Sequence, residues 1–231
     1  DSHSGYTKKA AEYLCSVYRE MGYEPQVTVK GGVLLKLCEG SAETGKHASD
    51  PSCGPILLMA HTDTLGAMVS GITPEGKLKI TPLGGLNPNN TEAENCRIIT
   101  RGGKIYTGTF QLINASINVN GEYNEKKRSY DSMEVLLDEL VESADDVKKL
   151  GIMTGDIVCF DPRTVVTPSG YIKSRFLDDK LSTAILLGYA RYLKDENITP
   201  ARTIYQHITV FEEVGHGACA SIPEGLTELL S

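Results

Sequence analysis

Apolar positions recur along this chain with two different periods. Between 6 and 21 they come every three to four residues, so that Ala10, Leu14, Val17, Tyr18 and Met21 share one face. That spacing predicts an amphipathic helix. Ser4 is placed to cap it and Gly22 to stop it. Val27-Thr28-Val29 and the apolar run 33–37 then flank Gly31-Gly32, the pattern of a β-hairpin. Residues 39–54 are polar and rich in Ser, Gly and Asp, which predicts an exposed loop. The unbroken apolar run 56–60 reads as a buried strand that ends at His61.

The texture changes from about residue 66 to 165. Short β-like runs at 77–81, 97–100, 104–109, 113–119 and 156–160 are separated by Gly, Asn and Pro. One short helix is predicted at 144–150, capped by Ser143. A longer helix follows at 179–193, with Leu181, Ala184, Ile185, Tyr189, Tyr192 and Leu193 as its apolar stripe. A last strand is predicted at 203–211. The order is therefore α/β, then β, then α/β. The economical arrangement is an α/β domain made of residues 1–65 and 166–231, interrupted by a β-rich domain at 66–165. There is no internal repeat and no low-complexity tract.

Composition narrows the classes. The 231 residues are 40% hydrophobic, enough for a sizeable core. The net charge is −7 and the pI about 5.3. No basic stripe marks a nucleic-acid surface, and no apolar run approaches the roughly 20 residues that span a membrane. Cys15, Cys38, Cys53, Cys96, Cys159 and Cys219 are scattered without a Cys-x-x-Cys pair. That usage suits reduced thiols of a cytoplasmic protein better than a disulfide scaffold or a cysteine-rich zinc site. No signal peptide is visible. The sequence opens on Asp-Ser-His-Ser-Gly rather than Met, so the natural N-terminus is expected to lie outside it.

Three clusters carry the chemistry: His61-Thr62-Asp63, Asp178-Asp179 and Glu212-Glu213. Two of them follow predicted strands, and open α/β sheets place ligands at the carboxyl ends of strands. Imidazole and carboxylate together are the ingredients of a divalent-metal site. His61 can ligate through one ring nitrogen while Asp63, two residues on, fixes the tautomer from the other side. The plain alternative is a structural histidine beside a solvated acid. Asp178-Asp179 suits a helix N-terminus, but a carboxylate there can also bridge two cations. Adjacent Glu212 and Glu213 repel unless solvated or bound to a cation. A metal would let one ligate and the other take a proton from bound water. The alternative is an exposed acidic loop. A glycosidase pair such as Asp178 with Glu212 needs carboxylates facing across a sugar. The chain has no tryptophan and only 6% aromatic residues, a poor supply for a sugar-stacking groove. Gly-x-Ser-x-Gly is absent. His207 reads as a packed strand residue, His216 as part of a glycine-flanked turn, and His3 and His47 as members of polar segments.

Taken in order, these segments resemble the M42 metallo-aminopeptidases, cytoplasmic enzymes of the tetrahedral, twelve-subunit type whose relatives include glutamyl aminopeptidases and doubtfully labelled endoglucanases. The matching segments are Ser4-Gly5-Tyr6, Ala60 to Gly66, Gly84-Gly85, Gly151 to Pro162, Ser174 to Lys180 and Glu212-Glu213-Val214-Gly215. The resemblance implies a zinc-peptidase-like α/β catalytic domain, here incomplete, interrupted by an inserted β-rich, barrel-like dimerisation domain. It implies peptide substrates, a homo-oligomer built from dimers, and two divalent ions (zinc, cobalt or manganese). On the resemblance, His61 ligates one metal and Asp63 orients it. Asp178 bridges both metals, Glu212 is the general base, Glu213 ligates the second metal, and Asp179 is not a ligand. The family pattern also calls for an Asp beyond the Glu-Glu pair and a His further on. This sequence stops at Ser231 before either, so it resembles the N-terminal part of such an enzyme, with three of five expected ligands. The rival expectation is a non-catalytic fragment that self-associates through its β domain.

Overall fold

The computed structural model describes residues 1–40 and 54–231. Residues 41–53, which hold most of the predicted loop together with His47 and Cys53, lie outside the described residues. The chain divides into two compact units, one of Asp1–Thr64 with Phe176–Ser231 and one of Leu65–Arg175.

The first unit is a five-stranded mixed sheet in the order β1-β2-β12-β3-β13. Its strands are β1 (Gln26–Val27), β2 (Val33–Cys38), β3 (Ile56–His61), β12 (Ile204–Thr209) and β13 (Glu228–Leu230), with helices α1 (Lys8–Glu20) and α3 (Leu177–Asp195). The β1–β2 hairpin pairs Val27 with Val33 and turns at Gly31, whose φ of +95° is open to glycine but costly to residues with a Cβ. At Gly32 a Cβ would lie 2.7 Å from the Ile208 carbonyl of β12, so the sheet itself demands glycine there.

Helix α1 buries Ala11, Leu14, Cys15 and Tyr18, while Ala10, Val17 and Met21 flank that stripe half-exposed. These side chains share one core with Val33, Leu35, Ala60, Ile204 and Ile208 of the sheet and with Ala190 and Leu193 of α3. Two polar groups cross that core: the Tyr18 hydroxyl donates to Gln206 at 2.7 Å, and the Gln206 amide donates to the Leu186 carbonyl at 2.9 Å. A buried acceptor left without its donor would cost about 1–3 kcal/mol.

The phase of α3 differs from the predicted stripe. Leu181, Ile185 and Tyr192 are exposed, at 44%, 61% and 54%, whereas Thr183, Ala190 and Leu193 are buried. Hydrogen bonds set the rotation. Thr183 Oγ1 donates to the His61 carbonyl at 3.1 Å and the Leu186 carbonyl accepts from Gln206, so the face carrying these two residues lies on the sheet.

The second unit is a closed barrel of β4 (Gly66–Ile72), β5 (Leu78–Leu83), β6 (Glu94–Ile99), β7 (Ile105–Leu112), β8 (Met133–Leu137) and β9 (Ile157–Phe160), in the order β4-β5-β8-β7-β6-β9. Closure leaves no open sheet edge. The alternation expected of barrel strands is clear in β8, where every second residue is buried. Phe110 and Phe160 meet edge-to-face at 5.8 Å inside it. The alternation in sequence does not single out β4 or β8, and the predicted strand at 113–119 is not one. That segment turns repeatedly: Asn114 has φ +58°, Asn120 Nδ2 donates back to the Asn114 carbonyl at 3.0 Å, and Val119 is 85% exposed. With no partner strand, its β-branched residues have nothing to pack on.

Helix α2 (Ala144–Lys149) is capped by Ser143, whose Oγ accepts from the Asp146 amide at 3.2 Å. The ribbon β10–β11 (Val165–Val166 with Ile172–Lys173) also belongs to the barrel unit, whose second boundary lies at Arg175 rather than at 165.

Burial of thiols and phenols has a consequence at high pH. Burial pushes Cys96 up to about 12 and Cys159 up to about 11, and raises Tyr18. Each folded-state value lies above its unfolded value. The stability these groups contribute is therefore complete below about pH 9 and is lost as pH rises toward 12. Under reducing conditions, the urea midpoint should fall by the equivalent of a few kcal/mol between pH 8 and 11. Replacing Cys96 and Cys159 together by Ala should flatten that fall; an unchanged slope would remove the two thiols as its cause.

Candidate metal centre

The sheet register assembles the site. β12 runs parallel to β3 with Thr209 opposite His61, and the Thr62 amide donates to the Thr209 carbonyl at 3.0 Å. Both strands therefore end at one sheet edge. The chain leaving β12 turns at once: Phe211 adopts φ +65°, a left-handed conformation that costs a non-glycine residue about 1–2 kcal/mol. A 3₁₀ turn over Glu212–Val214 follows. The start of α3 reaches the same edge. Asp178 and Asp179 have non-helical backbone angles and a cis peptide bond between them, and the His61 amide donates to Asp179 Oδ2 at 3.1 Å.

His61 sits at the meeting point, its side chain 10% exposed. Its Nε2 lies 3.0 Å from Asp178 Oδ1 and 3.5 Å from Glu212 Oε2. Its Nδ1 is 2.9 Å from the Asp63 carbonyl oxygen and 3.5 Å from Asp63 Oδ1. The close contact that orients the ring is thus to the backbone of Asp63, with the carboxylate just beyond it. Burial works against a charged His61, but hydrogen bonds to Asp63 and the charges of Asp63 and Glu212 outweigh it and lift the imidazole to about 9.

Asp63 is completely buried. It accepts from Ser4 Oγ at 2.5 Å, from the Glu212 amide at 3.2 Å and from the Glu213 amide at 3.4 Å. Burial alone would raise its carboxyl. The hydrogen bonds of His61, Ser4 and the Glu212 amide, and the charge of His61, hold it below the usual carboxylate range. The Glu213 carboxyl moves the other way: burial raises it, and the charges of Asp178, Asp63 and Glu212 add to the rise against the opposing charge of His61. Lys180 is half-buried beside them, donating to Ser2 Oγ at 2.5 Å and to the Thr62 carbonyl at 3.0 Å. Burial lowers its ammonium.

The structure thus brings His61, Asp63, Asp178 and Glu212 into direct contact, and Glu213 into their electrostatic field. Among the described residues, no three His, Cys, Asp or Glu side chains form a finished cage around one ion position. The donor chemistry nonetheless fits a divalent cation. One imidazole nitrogen and two carboxylates converge, and Glu213 is crowded by like charge that a cation would relieve. Asp179 spends a carboxylate oxygen on the β3 backbone. Sequence reasoning missed Ser4 as an Asp63 partner and Lys180 as a bridge to Ser2. It also read His3 as an unremarkable polar-segment residue, whereas His3 is 1% exposed. The acidic cluster beside these residues gives no sign of which neutral groups fold onto it.

A profile described as M42 glutamyl aminopeptidase matches residues 43–229. A putative aminopeptidase of Bacillus subtilis, YhfE, is 39% identical over 230 residues, covering 100% of this chain and 64% of that protein. The glutamyl aminopeptidase of Lactococcus lactis is 27% identical over 214 residues, covering 92% of this chain and 56% of that protein. The chain thus spans less than two thirds of the length of these curated relatives. Among solved structures, the TET1 peptidase of Pyrococcus horikoshii, described as able to assemble into a tetrahedron or a large octahedral shell, matches with a TM-score of 0.72 at 25% identity, covering 93% of this chain and 59% of that one. The matched profile and the Bacillus relative agree along the chain: it belongs to the M42 glutamyl aminopeptidase family.

Proposed function

We propose that this chain carries part of the catalytic centre of a metal-dependent aminopeptidase, which removes N-terminal residues from peptides. The observation that carries the reading is the convergence of Asp178 and Glu212 on one nitrogen of His61 at a sheet edge. His61, Asp178 and Glu213 would hold two divalent ions (zinc, cobalt or manganese), with Asp178 shared between them. When bound, such ions supply the charge that acidifies a water and stabilises a tetrahedral oxyanion.

The chain's own residues do the rest. Asp63 holds the His61 ring through its carbonyl and ties the Glu212-Glu213 turn to the end of β3. Glu212, about half exposed, stands where a carboxylate can take a proton from the attacking water and return it to the departing amine. The barrel unit would join two copies as the building block of a larger homo-oligomer, in keeping with the assemblies described for the Pyrococcus protein. No helix among the described residues is long and apolar enough to cross a membrane.

The test is bound metal per chain by elemental analysis, with hydrolysis of leucyl- and glutamyl-anilides after adding cobalt or zinc. Metal uptake with turnover supports the reading. A dimer without metal or turnover would favour the rival, a non-catalytic, self-associating chain. A glycoside hydrolase is not favoured by the family to which the chain belongs.

A further inference from the structure

Ser4, read from sequence as a helix cap, does not cap α1. Thr7 occupies the N-cap position and makes no side-chain capping bond. Ser2, His3 and Ser4 instead lie as a short strap along the end of β3. His3 pairs with Thr64 in a parallel bridge. The Ser4 amide donates to the Thr64 carbonyl at 3.2 Å and the Thr64 amide to the Ser2 carbonyl at 3.1 Å. All three strap residues are buried.

The strap's hydroxyls point at the site's supports. Ser4 Oγ donates to Asp63 Oδ2 at 2.5 Å. Ser2 Oγ donates to the Thr62 carbonyl at 2.7 Å and accepts from Lys180 Nζ, which follows Asp178-Asp179 in sequence. The strap therefore touches the His61-Thr62-Asp63 segment directly. Through Lys180 it reaches the start of α3, and through Asp63 the amides of Glu212 and Glu213.

We propose that Ser4 is a positioning residue: its hydroxyl sets the orientation of the Asp63 carboxylate, and through it the placement of His61 and of the Glu212-Glu213 turn. Ser4 would act through Asp63 alone, its hydroxyl being committed to that carboxylate. The part concerning metal rests on the aminopeptidase reading; the part concerning Asp63 and the turn does not. The physical reason is the strength of a hydroxyl-to-carboxylate hydrogen bond in a buried setting, and the dependence of ligand geometry on the groups behind the ligands. Without it, Oδ2 keeps only the longer bond from the Glu213 amide at 3.4 Å, against 3.2 Å from the Glu212 amide to Oδ1, and the carboxylate is held less firmly.

The experiment compares Ser4→Ala with Leu14→Ala, a core truncation in α1 of the same unit, using the full chain. In metal-free protein, hydrogen exchange of the Glu212 and Glu213 amides should be about tenfold faster in Ser4→Ala than in Leu14→Ala. Cobalt affinity should fall about 10–100-fold in Ser4→Ala and stay near the unaltered chain's in Leu14→Ala. Ser4→Thr, which keeps the hydroxyl, should restore both. Should Ser4→Ala fail to fold, Ser4→Cys keeps the shape, weakens the donor and carries the same comparison. Exchange at 212 and 213 no faster in the Ser4 variant than in Leu14→Ala would overturn the proposal. A chain that binds no cobalt but whose amides respond to Ser4→Ala would sink the metal reading and leave the strap standing.

Discussion

Glu212→Gln is expected to lower kcat for anilide hydrolysis about a thousandfold while leaving KM and folding nearly unchanged, if Glu212 is the proposed general base. The substitution keeps the shape of the side chain and removes its capacity to accept a proton. Beyond that, its charge only adds to the fields that raise His61 and Glu213. It is 54% exposed and its ion pair is with His61 at 3.5 Å. The hydrogen bond that anchors this residue comes from its main-chain amide to Asp63, which glutamine retains. A surface change of this kind shifts stability by about 0.5 kcal/mol or less. The signature sought is therefore a collapse in kcat with an unchanged urea midpoint and unchanged metal content. Near-normal hydrolysis would take the role of general base away from Glu212, and a parallel loss of metal would make it a ligand instead.

Asp63→Ala acts on stability. Three donors lose their acceptor at once: the Ser4 hydroxyl and the amides of Glu212 and Glu213. Each buried donor left unpaired costs about 1–3 kcal/mol. His61 also loses the neighbour that favours its charge, and removing one member of a buried charged set costs about 3–5 kcal/mol. These terms overlap because they share one carboxylate. The expected loss is thus about 4 kcal/mol in the metal-free chain, read from urea denaturation at neutral pH. Asp63→Asn keeps the acceptor oxygen and should lose roughly half as much. A loss below about 1 kcal/mol for Asp63→Ala would mean that the donors find water or other partners, and that Asp63 does not tie the segments together.

The residues that converge at the sheet edge were legible because they break strong local patterns. His61 ends an apolar run, and paired acids beside apolar segments stand out against their surroundings. The hairpin at Gly31-Gly32 and the Ser143 cap were legible for the same reason: turn and cap residues act within a few positions of themselves. The α3 stripe was misread because apolar residues populate more than one face of that helix. Choosing between faces took the bonds of Thr183 and Leu186 to other strands. The segment 113–119 has strand-like composition without a strand to pair with, and pairing is a non-local property.

By itself, then, the order of residues determined the alternation of α/β and β segments, the hairpin, and the identity of the acids and histidine at the strand ends, all set by side-chain chemistry over a few positions. Tertiary structure alone decided that β3 and β12 run parallel and in register, so that His61 and Glu212 end at one edge. It also decided which face of α3 is buried, and that Ser2, His3 and Ser4 fold onto Asp63. Each of these depends on contacts between residues about 20 to 190 positions apart, whose geometry is fixed only when the whole core packs.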